Sequence, residues 1–207
     1  GGAIYNEGST KITGTTTTFN TNYSATGGAI YNAANATLYF NEDVSTKTIT
    51  VNFTGNGKYG SNITTMGGAI YNEGTIYTYY SGTDSTVRNS VLNFTGNYAG
   101  IGGAIYTTTG ITMYGSLRDN IASNVGGAIY NTGYMLIRGT ISGNKAENNG
   151  GAIYTTYGTY LYASTISNNT STSGKGGAVY TTARNYTRSG TTYYGLRNYY
   201  STFSGNS

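Results

Sequence analysis

The chain contains no cysteine, no histidine, no proline and no tryptophan. Without cysteine there is no disulfide framework, no thiolate zinc site and no thiol nucleophile. Without histidine the commonest general base and a major metal ligand are gone. Without proline no strand edge is blunted by a missing donor. Charge is scarce too: 11 basic and 7 acidic residues in 207, a net of +4. No Lys/Arg run of the kind that grips nucleic acid occurs. The loose set Arg184, Arg188 and Arg197 reads as solvated surface. No apolar run approaches the ~18 residues of a membrane helix, so the chain is expected not to span a membrane. Nothing in the sequence calls for a metal or cofactor.

What is present is glycine, tyrosine, threonine and asparagine, with 33 Gly and 24 Tyr. They are arranged in a repeat. GGAIYN at Gly1 returns at Gly27, Gly67 and Gly126, as GGAIYTT at Gly102 and Gly150, and as GGAVYTT at Gly176. The steps between copies are 26, 40, 35, 24, 24 and 26 residues. A step of this size is one turn of a stacked-repeat protein, whose units run to roughly 20–45 residues. β-Branched and aromatic residues favour strands, and no stretch shows sustained helical periodicity.

A second motif follows each copy: a bulky apolar residue with Asn three places later. These are Phe19–Asn22, Phe53–Asn56, Phe94–Asn97, Leu117–Asn120, Ile141–Asn144, Ile166–Asn169 and Phe203–Asn206. The predicted architecture is therefore all-β, a parallel β-helix of seven coils in one domain over residues 1–207, with coils starting at 1, 27, 67, 102, 126, 150 and 176. The shortest coil, residues 126–149, lays out the plan. GGAIYN is one strand, Thr132-Gly133 a turn, 134–138 a second strand, 141–144 a third short strand or corner, and 145–149 closes the coil. Extra residues at 41–50 and 57–66 of coil two, and at 81–90 of coil three, predict a paired flap on one face.

Coils about 4.8 Å apart give a rod about 34 Å long and stack like residues in ladders. Successive strand residues face opposite ways. The ladder Ile4, Ile30, Ile70, Ile105, Ile129, Ile153 and Val179 is placed inside, and Tyr5, Tyr31, Tyr71, Tyr106, Tyr130, Tyr154 and Tyr180 outside. The reverse would oblige seven phenols to find buried partners. The Asn of the second motif is placed at corners, its amide bonding the next coil and its backbone suited to the left-handed turns found there. The second strands, such as Met135-Leu136-Ile137, show no clean alternation, and their faces stay open.

The pairing of GGA[ILV] with FxxN resembles the repeats of the chlamydial polymorphic outer-membrane proteins and related prokaryotic surface proteins. That resemblance covers essentially the whole chain. It implies a secreted, right-handed parallel β-helix of an adhesive or self-associating kind. The chain differs in lacking cysteine and in carrying Tyr after GGA[IV] in every copy. Its composition also resembles that of insoluble envelope sheath proteins, including the tubular sheaths of methanogenic archaea.

Several β-helix proteins process polysaccharides, which takes clustered carboxylates. The acids here are Glu7, Glu42, Asp43, Glu73, Asp84, Asp119 and Glu147. Glu42 and Asp43 point apart if extended. Glu7 and Glu73 share a phase two coils apart, roughly 10 Å, and no third polar group converges on them, so no catalytic site is expected. Calcium-binding coils need an Asp in each repeat, and the Thr pairs sit at turns rather than on a flat ice-binding face. The tyrosine ladder has three readings: cross-strand packing, a protein interface, or a stacking platform for sugars. Sequons at Asn22, Asn35, Asn52, Asn62, Asn93, Asn168, Asn169 and Asn185 are candidate glycan acceptors.

The chain starts at Gly1 within the repeat phase and ends after FSGN, which predicts a mature or trimmed segment with uncapped sheet edges, open to another copy. The expected function is that of an extracellular or cell-surface structural protein assembling with itself, end to end and laterally, into a fibre, tube or layer. An adhesin module whose long coils two and three meet a host protein or glycan is the alternative. Other envelope proteins and glycans are the further partners expected.

Overall fold

A computed structural model describes residues 1–40, 48–58, 60, 64–81, 87–188, 191–193 and 195–207. The chain coils as a parallel β-helix. Its first face is a seven-stranded parallel sheet made of every GGA[IV] copy, in sequence order: Ile4–Asn6, Ile30–Asn32, Ile70–Asn72, Ile105–Thr107, Ile129–Asn131, Ile153–Thr155 and Val179–Thr181. Register is residue to equivalent residue, so Ile129 lies between Ile105 and Ile153, and Tyr130 between Tyr106 and Tyr154.

The glycine pair makes the entry bend. Gly126 has a left-handed φ of 66°, which costs a side-chain-bearing residue dear. A Cβ on Gly127 would stand 1.9 Å from the carbonyl oxygen of Gly151 in the next coil. The backbone N–H groups of Ala128 and Ile129 both donate to Ala152 O, at 2.8 and 2.9 Å.

The second face holds the apolar residue of the second motif. In coils four and five it is one nine-residue strand each, Gly110–Arg118 and Tyr134–Ser142. The separate strand and corner expected in the shortest coil are therefore one strand, bent at Gly139 (φ 138°). In coil six Ala163 and Ser164 replace the bending glycine, and the strand splits into Thr159–Tyr162 and Thr165–Ser167. Coils one to three are longer here, so Ser9–Ile12, Thr37–Phe40 and Thr75–Tyr77 form a small sheet of their own. A third face of short strands, from Tyr98–Ile101 to Thr170–Ser171, closes coils three to six.

The interior is filled by apolar side chains. Ile30, Ile70, Ile105, Ile129 and Ile153 have no exposed surface, while Ile4 and Val179 in the outer coils are half-buried. Facing them runs a column in which Phe53 stacks between Phe19 and Phe94, at 5.0 and 4.7 Å between ring centres. Leu117, Ile141 and Ile166 continue it, without exposed surface. On the second strands Met113, Met135, Ile137 and Leu161 point in, and Thr112, Tyr114, Leu136, Arg138, Tyr160 and Tyr162 point out. Leu136 is the reason the alternation looks broken in sequence.

The coil-three excursion is an antiparallel pair, Tyr79–Ser81 with Val87–Asn89. The coil-two segment expected to lie beside it, 41–47, is outside the described residues, as are Glu42, Asp43 and Asp84. A second antiparallel pair, Tyr186–Arg188 with Thr191–Tyr193, interrupts coil seven. The signal was present in the sequence: Gly176 to Phe203 spans 27 residues, against 15 from Gly126 to Ile141.

Candidate functional site

Two ladders run the length of the helix, and each is set by one residue per coil. The outer one is tyrosine. Strand register holds the rings of Tyr5, Tyr31, Tyr71, Tyr106, Tyr130, Tyr154 and Tyr180 in one continuous stack. Successive ring centres are 4.8, 4.9, 5.0, 4.9, 5.2 and 5.2 Å apart, with planes within 7–28° of parallel. Such pairs contribute about 0.5–1.5 kcal/mol each beyond their burial. The faces of the rings are spent on one another, so only edges and hydroxyls meet water. The interior rings therefore offer a sugar no free face to stack on.

Glu7 and Glu73 each accept hydrogen bonds from ladder phenols. Glu73 sits beside the stack and takes two phenols, with Tyr71 donating to Oε1 at 2.7 Å and Tyr31 to Oε2 at 3.1 Å. Tyr5 donates to Glu7 Oε1 at 3.2 Å. Burial, then the hydrogen bond to Glu73 and its charge, hold the Tyr71 phenol far above its ordinary value. Tyr31 is raised for the same causes in the same order, and Tyr5 first by its bond to Glu7. Tyr106, Tyr130 and Tyr154 are raised chiefly by burial. These contacts escaped the sequence reading, which paired the two acids by phase and overlooked that Tyr5 and Tyr71 each lie two residues before one of them.

The inner ladder is asparagine. Asn22, Asn56, Asn97, Asn120, Asn144, Asn169 and Asn206 form an unbroken amide chain. In each, Nδ2 donates to Oδ1 of the next at 2.8–3.0 Å, and the same Oδ1 also accepts the backbone N–H of the donor residue. The second amide hydrogen goes to a backbone carbonyl in the coil before, as from Asn120 to Phe94 O at 3.0 Å. Asn56, Asn97, Asn120, Asn144 and Asn169 have no exposed surface. The left-handed position belongs to the residue before each Asn, not to the Asn itself: Thr21, Gly55, Gly96, Asp119, Gly143, Asn168 and Gly205 all have φ between 53° and 67°. Gly, Asp and Asn tolerate that region best, which is a signal the sequence carried one place away from where it was sought.

A further buried polar column went unnoticed, at the last residue of GGA[IV]Y[NT]. Asn6 Nδ2 donates to Asn32 Oδ1 and Asn32 Nδ2 to Asn72 Oδ1, both at 2.7 Å. Thr107 and Thr155 take the same place with their hydroxyls, at 3.0 Å from Asn72 and 3.1 Å from Asn131.

On the second face a third column was also missed. Arg138 lies between Tyr114 and Tyr162, its guanidinium carbon 5.5 and 4.0 Å from the two ring centres. The 24-residue spacing of these three positions was the available signal.

Of the candidate glycan acceptors, Asn35, Asn168 and Asn185 are exposed, and Asn22, Asn52 and Asn93 are half-buried. Asn169 is corrected: its amide is wholly buried and both its N–H groups are bonded, to Asn206 Oδ1 and Ile141 O. Asn62 lies outside the described residues. The surface carries shallow grooves; one of about 500 Å³ is lined by Asn124, Asn148, Asn149, Ser173 and Lys175. Among the described residues no three or more acids cluster so as to hold a metal ion, and no helix is long and apolar enough to cross a membrane.

The Chlamydia polymorphic membrane protein repeat matches the chain at residues 91–108, 139–156 and 163–182, well short of half its length. Each match runs from the apolar–Asn corner through the third face into the next GGA[IV]Y strand, so the chain carries repeats similar to that family's. No curated protein and no solved structure is similar to it.

Proposed function

We propose that the chain is a cell-surface structural rod that associates side by side with further copies of itself along its tyrosine ladder. The surface location is argued from the likeness to a membrane-protein repeat. The observation that carries the association is the unbroken stack, with ring edges and hydroxyls every 4.8–5.2 Å. A second copy has the same spacing by construction, so contacts formed at one coil recur at all of them. Tyrosine is favoured in interfaces. End-to-end addition into a fibre, tube or layer is a separate proposal, read as rods longer than one chain.

Sedimentation over a concentration series and negative-stain microscopy test the reading. The native chain is expected to form laterally paired rods, and the triple variant Tyr31→Ser, Tyr106→Ser, Tyr154→Ser to stay single. A native chain that remains monomeric at high concentration ends it. The adhesin alternative has its own support in the Arg138 column, where a cation is held over two rings. Binding of an acidic polysaccharide that is lost in Arg138→Leu would favour that reading.

A further inference from the structure

The tyrosine ladder is uniform in its rings but not in its partners. Tyr5, Tyr31 and Tyr71 each donate a hydrogen bond to a carboxylate. At the place Glu73 takes in coil three, coils four to seven have Thr108, Thr132, Thr156 and Thr182. One end of the stack is therefore furnished with proton acceptors and the other is not.

A phenol that loses an electron becomes a strong acid, so its oxidation is easiest when a base already holds its proton. Proton transfer needs an acceptor within roughly 2.6–3.2 Å, and all three phenols have one. Burial and the carboxylate together disfavour the phenolate at Tyr71, which leaves joint loss of proton and electron as the open route. Ring contacts of 4.8 and 4.9 Å connect Tyr71 through Tyr31 to Tyr5, which is 59% exposed.

We propose that this end of the ladder is a redox site for one-electron oxidants, in which Glu73 relays protons while an electron vacancy passes from Tyr71 to Tyr5. In the first step the oxidant, of the class of a ferryl haem or a ruthenium(III) polypyridyl complex, gains one electron from Tyr71. The Tyr71 O–H bond breaks and its proton joins Glu73 Oε1, leaving a neutral phenoxyl radical. In the second step Tyr31 gives an electron to that radical and its own proton to Glu73 Oε2, while Oε1 returns a proton to Tyr71. In the third, Tyr5 gives an electron to Tyr31 and a proton to Glu7, and Glu73 returns its proton to Tyr31. The net result is one reduced oxidant, a radical at Tyr5 and a proton on Glu7. A small reductant of the ascorbate class resets Tyr5 by supplying one electron, with Glu7 returning the proton. The proposal does not depend on association between copies, because every group belongs to one chain.

Flash oxidation of monodisperse protein by photogenerated ruthenium(III) polypyridyl, followed by phenoxyl absorbance and electron paramagnetic resonance, tests it. Native protein is expected to form a ladder radical with a solvent deuterium isotope effect. Glu73→Gln keeps the size and an acceptor oxygen but no basic site. Combined with Tyr5→Phe, which removes the ladder phenol served by Glu7, it is expected to slow ladder oxidation about a hundredfold and to abolish the isotope effect. Tyr5→Phe, at an exposed position, is expected to shift the radical onto Tyr31 and Tyr71 and to slow its quenching by ascorbate, because those rings are less exposed than Tyr5. Unchanged kinetics in the Tyr5→Phe, Glu73→Gln double variant, relative to Tyr5→Phe, would overturn the proposal. So would a native radical confined to Tyr200 or Tyr23, which are 84% and 58% exposed and stand outside the ladder.

Discussion

The asparagine and tyrosine ladders repeat the same device, one residue per coil in exact succession of coils, yet one is a fastener and the other a surface. Each buried asparagine spends both amide hydrogens and accepts two more through its oxygen. In water-free surroundings any shorter or differently branched side chain strands a partner. All seven positions are accordingly asparagine. The last residue of GGA[IV]Y[NT] shows the looser rule: a hydroxyl replaces the amide where it meets the same neighbours. Each tyrosine has only its ring faces committed. Its edge and hydroxyl stay in water, and its partners differ from one end of the stack to the other.

The sharpest way to break this comparison is to attack the wall between the two ladders. Ile129 has no exposed surface. Ile129→Asp is expected to abolish folding, because an unpaired carboxylate there has no partner; circular dichroism that kept its strand signal would contradict the burial assigned to this column. Next in size is Asn120→Ala. It removes the acceptor of the Asn97 backbone N–H and of one Asn97 amide hydrogen, and the donor to Phe94 O. A loss of about 2–4 kcal/mol in urea unfolding is expected, from unsatisfied groups at about 1–3 kcal/mol each. Asn22→Ala, half-buried at the edge of the chain of amides, is expected to cost less, and equal losses would mean that burial does not set the cost.

Alkaline titration separates the ladders without mutation. The phenols of Tyr31, Tyr71, Tyr106, Tyr130 and Tyr154 are raised from 10.0 in the folded chain. Above that value the unfolded chain releases protons that the folded chain keeps. Stability is therefore complete below pH 10.0 and falls as pH rises past it toward the folded values. The urea midpoint measured across that range is expected to decline, and a flat profile would contradict the burial of the rings. The smallest effect belongs to Tyr130→Leu, which gives up two stacked contacts but leaves no polar group stranded. About 1–2 kcal/mol is expected, two pairs less the packing that leucine keeps. A loss larger than that of Asn120→Ala would reverse the ranking of the two ladders.

Much of the fold was legible because the repeat is strict. One GGA[IV]Y copy per coil admits one in-register parallel pairing, and the alternation within Ile129-Tyr130-Asn131 separates the faces. Leu136 concealed the same alternation on the second face, since an outward leucine in a stack of mixed neighbours has no periodic signature. The continuity of the strand through Gly139, and its break at Ala163-Ser164 one coil later, were equally hidden: the sequence reading had a separate strand and corner at 134–138 and 141–144, and the structure joins them in one strand. The left-handed corner was misassigned to asparagine because both its residue and the one before it are turn formers.

The coil period, the parallel pairing between coils and the Ile, Tyr and corner Asn ladders were determined by the sequence alone, since a residue repeated once per coil must stack on itself when coils stack. Which groups meet across coils was decided only by the tertiary structure. Tyr31 and Glu73 are 42 residues apart and touch at 3.1 Å, a contact that depends on where two side chains of different coils end, and a hydrogen bond tolerates only a few tenths of an ångström in that distance.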